Sequence, residues 1–387
     1  MILKEEKIII NKIKKVIASG SKKLHEPIFF GNEKKYLAEC IKSSYVSSVG
    51  RFVNKFEKKL CKFTKSPHSV ALVNATSAIH LILRCLNISK NDEVLIPSIT
   101  FVATANAIRY CQAQPNFIDV EKRTFGICPI KLEKYLKKII IKKGGQSINK
   151  FTKKRIKVLI AVHVFGMPCN IKSINQICKK YNIKVIEDAA EAIGSFYKNS
   201  HLGTNSLAGV ISFNGNKTIT AGNGAIILSK NKTLIQKIRH LSTQAKKKHK
   251  WEYDHDAVGY NYRLSNINAA IGCAQIEKIK KIISLKRKNF YSYQKEFKDF
   301  KYVKLLKEPK QCKSNFWLIS LIIEKKNIKK NRLLSELHKH GIYSRPIWKP
   351  LHSLKIFKMC KKDKCENAEE IYNKTINLPS SPNISLK

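Results

Sequence analysis

Between about residue 68 and residue 230, short apolar runs alternate with stretches of helical spacing. That alternation constrains the fold more than any other feature. SVALV, EVLIP, PNFIDV, KVLIAVHVF, KVIED, VISF and GAIILS read as strands, with SAIHLILRCLN, TANAIRYCQ and IKSINQICKKYN as helices between them. Such alternation predicts βαβ units and a mainly parallel sheet. Ligands of these sheets sit beyond the carboxyl ends of the strands, so chemistry is to be sought where the runs end. One Gly- and Lys-rich stretch, residues 137–155, breaks the pattern and reads as an exposed loop.

The flanks differ. Residues 1–25 read as a helical arm with a turn at residues 19–23, and residues 26–235 as a large α/β domain. Residues 236–387 begin with a long helix over SNINAAIGCAQIEKIKKIISLKRKNFYSYQKEF. A strand (FWLISLII), a helix (KKNRLLSELHKHG) and an extended IYSRPIWKP follow, which predicts a smaller α+β domain.

Composition narrows the function. Lys and Arg number 75 against 27 Asp and Glu, a formal net charge of +48. Such a balance suggests a nucleic-acid partner. Here, however, the lysines are spread over nearly every segment, without the clustered cations and interleaved aromatics of a nucleic-acid groove. Nucleic acid is therefore not the expected partner, although the field attracts an anionic substrate. The eleven cysteines include no C-x-x-C pair and read as reduced thiols. No H-E-x-x-H pattern occurs, and no metal site is expected. No run of about 18 apolar residues suggests a membrane span. The N-terminus mixes both charge signs with apolar residues, unlike a signal peptide, so a cytoplasmic location is expected.

Three segments carry chemistry. In VALVNATSAIHLIL a strand runs into Asn74-Ala75-Thr76-Ser77 and a helix begins. Small hydroxylic residues at a helix N-terminus make an anion site, or simply an N-cap through Thr76 or Ser77. In KVIEDAAEAIGS the strand ends in Asp188, a carboxylate placed for a cationic ring nitrogen, a metal, a ribose hydroxyl or a helix cap, with Glu187 open to a surface role. In VISFNGNKTITAGNGAIILS, Ser212 is on a strand, Lys217 is in the loop beyond, and Gly222 and Gly224 allow tight backbone geometry. A lysine beside a phosphate site and a carboxylate can form a Schiff base with pyridoxal 5′-phosphate (PLP), the carboxylate keeping the ring nitrogen protonated.

NATSAIHL, VLIPSITFVATANAI, AVHVFGMPCNI, IEDAAEAIGS, SFNGNKTITAGNGA and GYNYRLSNINAAIGCAQ together resemble the DegT/DnrJ/EryC1/StrS family of sugar aminotransferases, in order and over roughly residues 26–380. The resemblance implies a PLP-dependent transferase of fold type I, like aspartate aminotransferase, with a mainly parallel central sheet and a smaller C-terminal α+β domain. LHEPIFFGNEKKYLAECI, YVSSVGRFV and SRPIWKPLH further resemble the branch that aminates UDP-linked 4-keto-6-deoxy-N-acetylhexosamines, as in legionaminic-acid-type pathways.

By motif position, the resemblance makes Lys217 the catalytic lysine and Asp188 the partner of the pyridine nitrogen. Thr76, Ser77 and Ser212 become the phosphate cradle, and Phe101 the aromatic over the cofactor ring. Glu191, where Gln or His is common, becomes a cofactor contact, and Asn261 a residue reaching the phosphate from the partner subunit of a homodimer. His163 and His352 become substrate-pocket residues, with structural roles as the plain alternative. The implied reaction moves an amino group from L-glutamate to a nucleotide-linked keto sugar, for surface polysaccharide or nonulosonic acid synthesis. Relatives that act as PLP-dependent sugar dehydratases carry histidine in place of this lysine, so Lys217 favours transamination. A regulatory role is disfavoured by the intact set of Lys217, Asp188, Thr76 and Ser212, and a DNA-binding role by the scattered charge.

Overall fold

The computed structural model describes residues 3–17 and 20–384. The predicted arm and the turn at residues 19–23 lie partly outside them. From residue 68 onward the chain lays down β1 (His68–Leu72), β2 (Asp92–Pro97), β3 (Gln114–Ile118), β4 (Ile140–Lys143), β5 (Gln146–Asn149), β6 (Arg155–Val162) and β7 (Lys184–Asp188). There follow the two-residue strands β8 (Phe196–Tyr197) and β9 (Ser200–His201), then β10 (Ala208–Ser212) and β11 (Ala225–Ser229).

The main sheet has the order β1-β11-β10-β7-β6-β2-β3. β10, β7, β6, β2 and β3 are mutually parallel, while β11 runs antiparallel to both β10 and β1. The sheet is thus mainly parallel, as expected, with an antiparallel strand set in near one edge. β2, β10 and β11 are buried along their whole length. This is why they read as unbroken apolar runs: helices cover both faces.

The segment expected to be a loop is a hairpin. Ile140–Lys143 pairs with Gln146–Asn149 around Gly144 and Gly145, whose φ values are 53° and 71°. Two consecutive positive φ angles suit a tight hairpin turn; β4 is mostly exposed and β5 buries the polar Ser147 and Asn149, so no apolar alternation marked the pair. Helices Pro129–Ile139 and Lys232–Ser242 add to those expected from spacing.

The long helix spans Asn266–Glu296 and starts at Ser265, whose hydroxyl accepts from the Asn268 N–H. Beyond it, β12 (Val303–Leu305), β14 (Ile319–Ile323), β15 (Arg345–Pro346) and β16 (Thr375–Leu378) form an antiparallel sheet in the order β12-β14-β16-β15. β13 (Cys312–Lys313) pairs with β8, linking this part to the first. The first helix, Lys4–Ile17, buries Ile9, Ile10, Ile13 and Ile17, and its Glu6 pairs with Arg332 at 2.8 Å. No helix among the described residues is long and apolar enough to cross a membrane.

Candidate active site

A cavity of about 320 Å³ opens at the carboxyl ends of the parallel strands. β6 contributes Val162, β7 Asp188 and β10 Ser212, while Thr100 and Phe101 follow β2. Asn74, Ala75 and Thr76 enter from the N-terminus of helix Ala75–Cys85, and Trp317 and Trp348 from the C-terminal part.

At the helix end the cap is Asn74, not Thr76 or Ser77. Its side chain accepts the Ser77 N–H at 2.8 Å, and its carbonyl accepts the Ala78 N–H. The N–H groups of Ala75 and Thr76 belong to the unpaired first turn, so the positive end of the helix faces the cavity. Ser212, at the tip of β10, borders it too.

Asp188 is buried. Its Oδ2 accepts the Thr104 hydroxyl at 2.7 Å and its Oδ1 the Ala190 N–H at 3.2 Å. Burial pushes its pKa up, and the Thr104 and Ala190 bonds and the Lys217 charge only partly offset that. A buried carboxylate so placed favours a cation beside it.

Lys217 sits in the loop between β10 and β11. The loop is closed at its base by Phe213 N–H to Gly224 C=O and Ala221 N–H to Phe213 C=O, and Lys217 N–H itself donates to Asn214 C=O. Gly222, at φ 75°, turns the chain toward β11. Lys217 Nζ lies 3.1 Å from Glu191 Oε1 and 3.8 Å from the centroid of the Trp317 ring. Glu191 Oε2 accepts the Phe165 N–H at 2.8 Å, and Phe165 holds a φ of 56°, unusual for a bulky residue. Phe101, 54% exposed, stands at the mouth with its ring 6.1 Å from that of Trp348.

The cavity therefore gathers Lys217, Asp188, Glu191, Thr76, Ser212 and Phe101. Ser77 does not line it. Neither does His163, expected in a substrate pocket: it is fully buried beneath, taking the Cys169 N–H on Nδ1 and so donating from Nε2 to Glu187 at 3.0 Å. Glu187 is likewise buried rather than on the surface and accepts from Gly203 and Asn205 N–H. His352, the other expected pocket residue, is tied to Ser98 Oγ at 2.6 Å and Glu369 at 3.2 Å and also lies outside the cavity lining. Asn261 lies in a separate open groove with Lys246, His249 and Arg263. Thr104, Trp317 and Trp348 line the cavity without having been anticipated, and Asn74, read only as part of the anion-site segment, lines it too. Thr104 stood inside a quoted motif, but no spacing marks either tryptophan, since both arrive from the distant C-terminal part.

Residues 29–387 match the DegT/DnrJ/EryC1/StrS aminotransferase family. The chain belongs to that family. It is 36% identical to GDP-perosamine synthase of Escherichia coli O157:H7 over 365 residues, covering 94% of each chain. It is 34% identical to the putative pyridoxal phosphate-dependent aminotransferase EpsN of Bacillus subtilis, over 94% of this chain and 91% of that one. Among solved structures, Helicobacter pylori PseC, an aminotransferase involved in the biosynthesis of pseudoaminic acid, superposes with a TM-score of 0.84 at 26% identity over 94% of both chains. The chain is thus a sugar aminotransferase of fold type I, in a family that depends on PLP. The cavity suits that group: a helix N-terminus for a phosphate, a buried carboxylate for a ring nitrogen, and a lysine amine between acid and aromatic.

Proposed function

We propose that this enzyme transfers an amino group from L-glutamate to the ketone of a UDP-linked 4-keto-6-deoxy-N-acetylhexosamine, with PLP held by Lys217 and Asp188. The observation that carries this reading is the shared cavity of Lys217 and buried Asp188 at a helix N-terminus. When bound, the cofactor supplies an aldehyde that takes up the amino group and a ring that draws electrons from the carbon losing its proton.

The chain's own residues do the rest. The Ala75 and Thr76 N–H groups, with Ser212, bind the phosphate. Asp188, oriented by Thr104, holds a proton on the ring nitrogen. Phe101 covers one side of the site and Trp348 narrows its mouth, excluding water. Lys217, once its amine is free, moves the proton between donor or sugar carbon and cofactor.

Asn261 serves the site of a second copy in this reading. It is exposed and outside its own cavity lining, and Val49, Trp251, Tyr253 and Val258 near it in sequence or in its groove leave large apolar surfaces for a partner to cover. A GDP-linked sugar is the second reading, favoured by the GDP-perosamine synthases among the relatives. Incubation with glutamate and a panel of UDP-, GDP- and dTDP-linked 4-keto-6-deoxy sugars, with product mass as readout, decides between them. Borohydride reduction and peptide mass should place the cofactor on Lys217. A protein that stays colourless with added PLP, or a label on another lysine, removes the proposal.

A further inference from the structure

Two groups hold the Lys217 amine from opposite kinds of chemistry. Glu191 offers a carboxylate oxygen at 3.1 Å, and Trp317 offers the face of its indole with its centroid at 3.8 Å. The pair is shielded, with 13% of the Lys217 side chain and 6% of the Glu191 side chain exposed. Each wall is itself braced. Trp317 donates from its indole nitrogen to the Asn216 carbonyl at 2.7 Å and from its main-chain N–H to Asn315 Oδ1 at 2.9 Å. Glu191 is anchored by the Phe165 N–H, and its carbonyl accepts from Asn315 Nδ2. One asparagine thus sets both walls.

We propose that Glu191 and Trp317 form the seat of the free Lys217 amine, and that Glu191 is the group with which this amine exchanges its proton. The inference rests on the reading of Lys217 as the cofactor lysine and adds a positioning pair to it. The step is a proton transfer: a Lys217 N–H bond breaks, its electron pair stays on nitrogen, and an O–H bond forms on Glu191. The neutral amine is then free to bond to an aldehyde carbon or to take a proton from substrate.

The surroundings favour Glu191 for this part. Asp188 has its two oxygens engaged by Thr104 and Ala190 and makes no ion pair with Lys217 among the described residues. Glu187 and His163 are occupied with each other. His25, on the N-terminal segment, and Lys286, on the long helix, are both held toward their neutral forms by burial, so neither adds a lasting positive charge beside Trp317. Burial pushes the Glu191 pKa up and Asp188 adds to that, while Lys217 and the Phe165 N–H pull it down. Once Lys217 loses its charge the largest opposing influence goes, and a buried carboxylate takes the proton. The Trp317 face favours a cation over a neutral amine, so it holds the lysine in place until the transfer occurs.

The test uses the full-length chain freed of cofactor, so its failure is separate from that of the PLP reading, which borohydride labelling decides. Lys217 is modified with cyanate across a pH series and quantified by peptide mass. This labelling reads the seat, in which the carboxylate holds the charged amine: in Glu191→Gln the midpoint should fall by about one pH unit, the usual scale for losing an opposite charge in contact, with the high-pH plateau unchanged. Trp317→Phe should move it the same way by less. A merely structural role would raise or lower the plateau through access and leave the midpoint in place, and that result overturns the proposal. A second measurement needs no variant at position 191. Infrared difference spectra of the wild-type chain before and after cyanate treatment of Lys217 should gain the carbonyl band of a protonated carboxyl. If no such band appears, the proton does not reside on Glu191 and the proposal is wrong.

Discussion

Asn315 Nδ2 donates to the main-chain carbonyl of Glu191 over 2.9 Å, joining the segment before β14 to the loop after β7. The same amide group reaches Ile193 C=O at 2.9 Å and Thr218 Oγ1 at 3.2 Å, and the site gains its tryptophan wall from the residue two positions later. The close approach also explains Gly166, where a Cβ would stand 1.9 Å from Asn315 Oδ1. Asn315→Ala should therefore cost about 2 kcal/mol or more, because buried carbonyls lose their donor. Urea unfolding measures this, and a cost below about 0.5 kcal/mol would show that the joint is not holding the parts together.

Asp188→Asn keeps the shape of the site and removes its charge. An amide does not hold a proton on a ring nitrogen, so turnover should fall about a hundredfold to a thousandfold, as for loss of one preorganised electrostatic contact. Thr104→Val, which removes the bond that orients Asp188 together with one to the Thr100 hydroxyl, should cost roughly tenfold. Steady-state rates with glutamate and the best sugar of the panel check both. Near-wild-type turnover in Asp188→Asn would take that residue out of the role.

The buried pair of Glu187 and His163 yields a pH prediction. Burial works against the Glu187 charge, but His163 and the N–H groups of Gly203 and Asn205 hold its pKa below the ordinary carboxylate value. The folded state then binds a proton less readily than the unfolded one. The stabilisation is present above the unfolded carboxylate pKa of about 4.3 and is lost as pH falls through the lower folded value. Glu187→Gln should be destabilised by about 1–3 kcal/mol at neutral pH, because an amide turns a donor toward the imidazole and N–H groups from which the carboxylate oxygens accept. The gap to wild type should narrow on acidification below about pH 4. A gap that stays constant down to pH 3 would mean the charge contributes nothing.

The parallel strands and three of the helices between them were legible in the sequence because the strands are largely buried on both faces and read as apolar runs. The hairpin at Ile140–Asn149 was not, because Ile140–Lys143 is mostly exposed and Gln146–Asn149 turns polar Ser147 and Asn149 inward, so neither reads as an apolar alternation. At the site, Asp188 and Ser212 end their strands, Thr76 and Lys217 lie in the segments just beyond β1 and β10, and all four stand out by residue type. His163 misleads for the same reason: a histidine one residue past β6 stands where a ligand contact belongs, yet its ring turns inward to Glu187. Trp317 and Trp348 lie more than 90 residues beyond Lys217 in the chain, and only tertiary packing tells that they line its cavity.

The position of Asn261, in a groove apart from the Lys217 cavity, makes the shared-site reading testable by complementation. Lys217→Ala and Asn261→Ala chains should each be impaired as homodimers. In a mixed dimer one site combines both lesions. The other pairs an intact Lys217 with an intact Asn261 from the opposite chain. Activity should therefore return in part, toward one working site per heterodimer. If both residues serve the site of their own chain, every site in the mixed dimer keeps one lesion and mixing restores nothing. Differently tagged chains, purified through both tags, ensure that heterodimers are being measured. A monomer by light scattering at the assay concentration would refute the shared site without further mutagenesis.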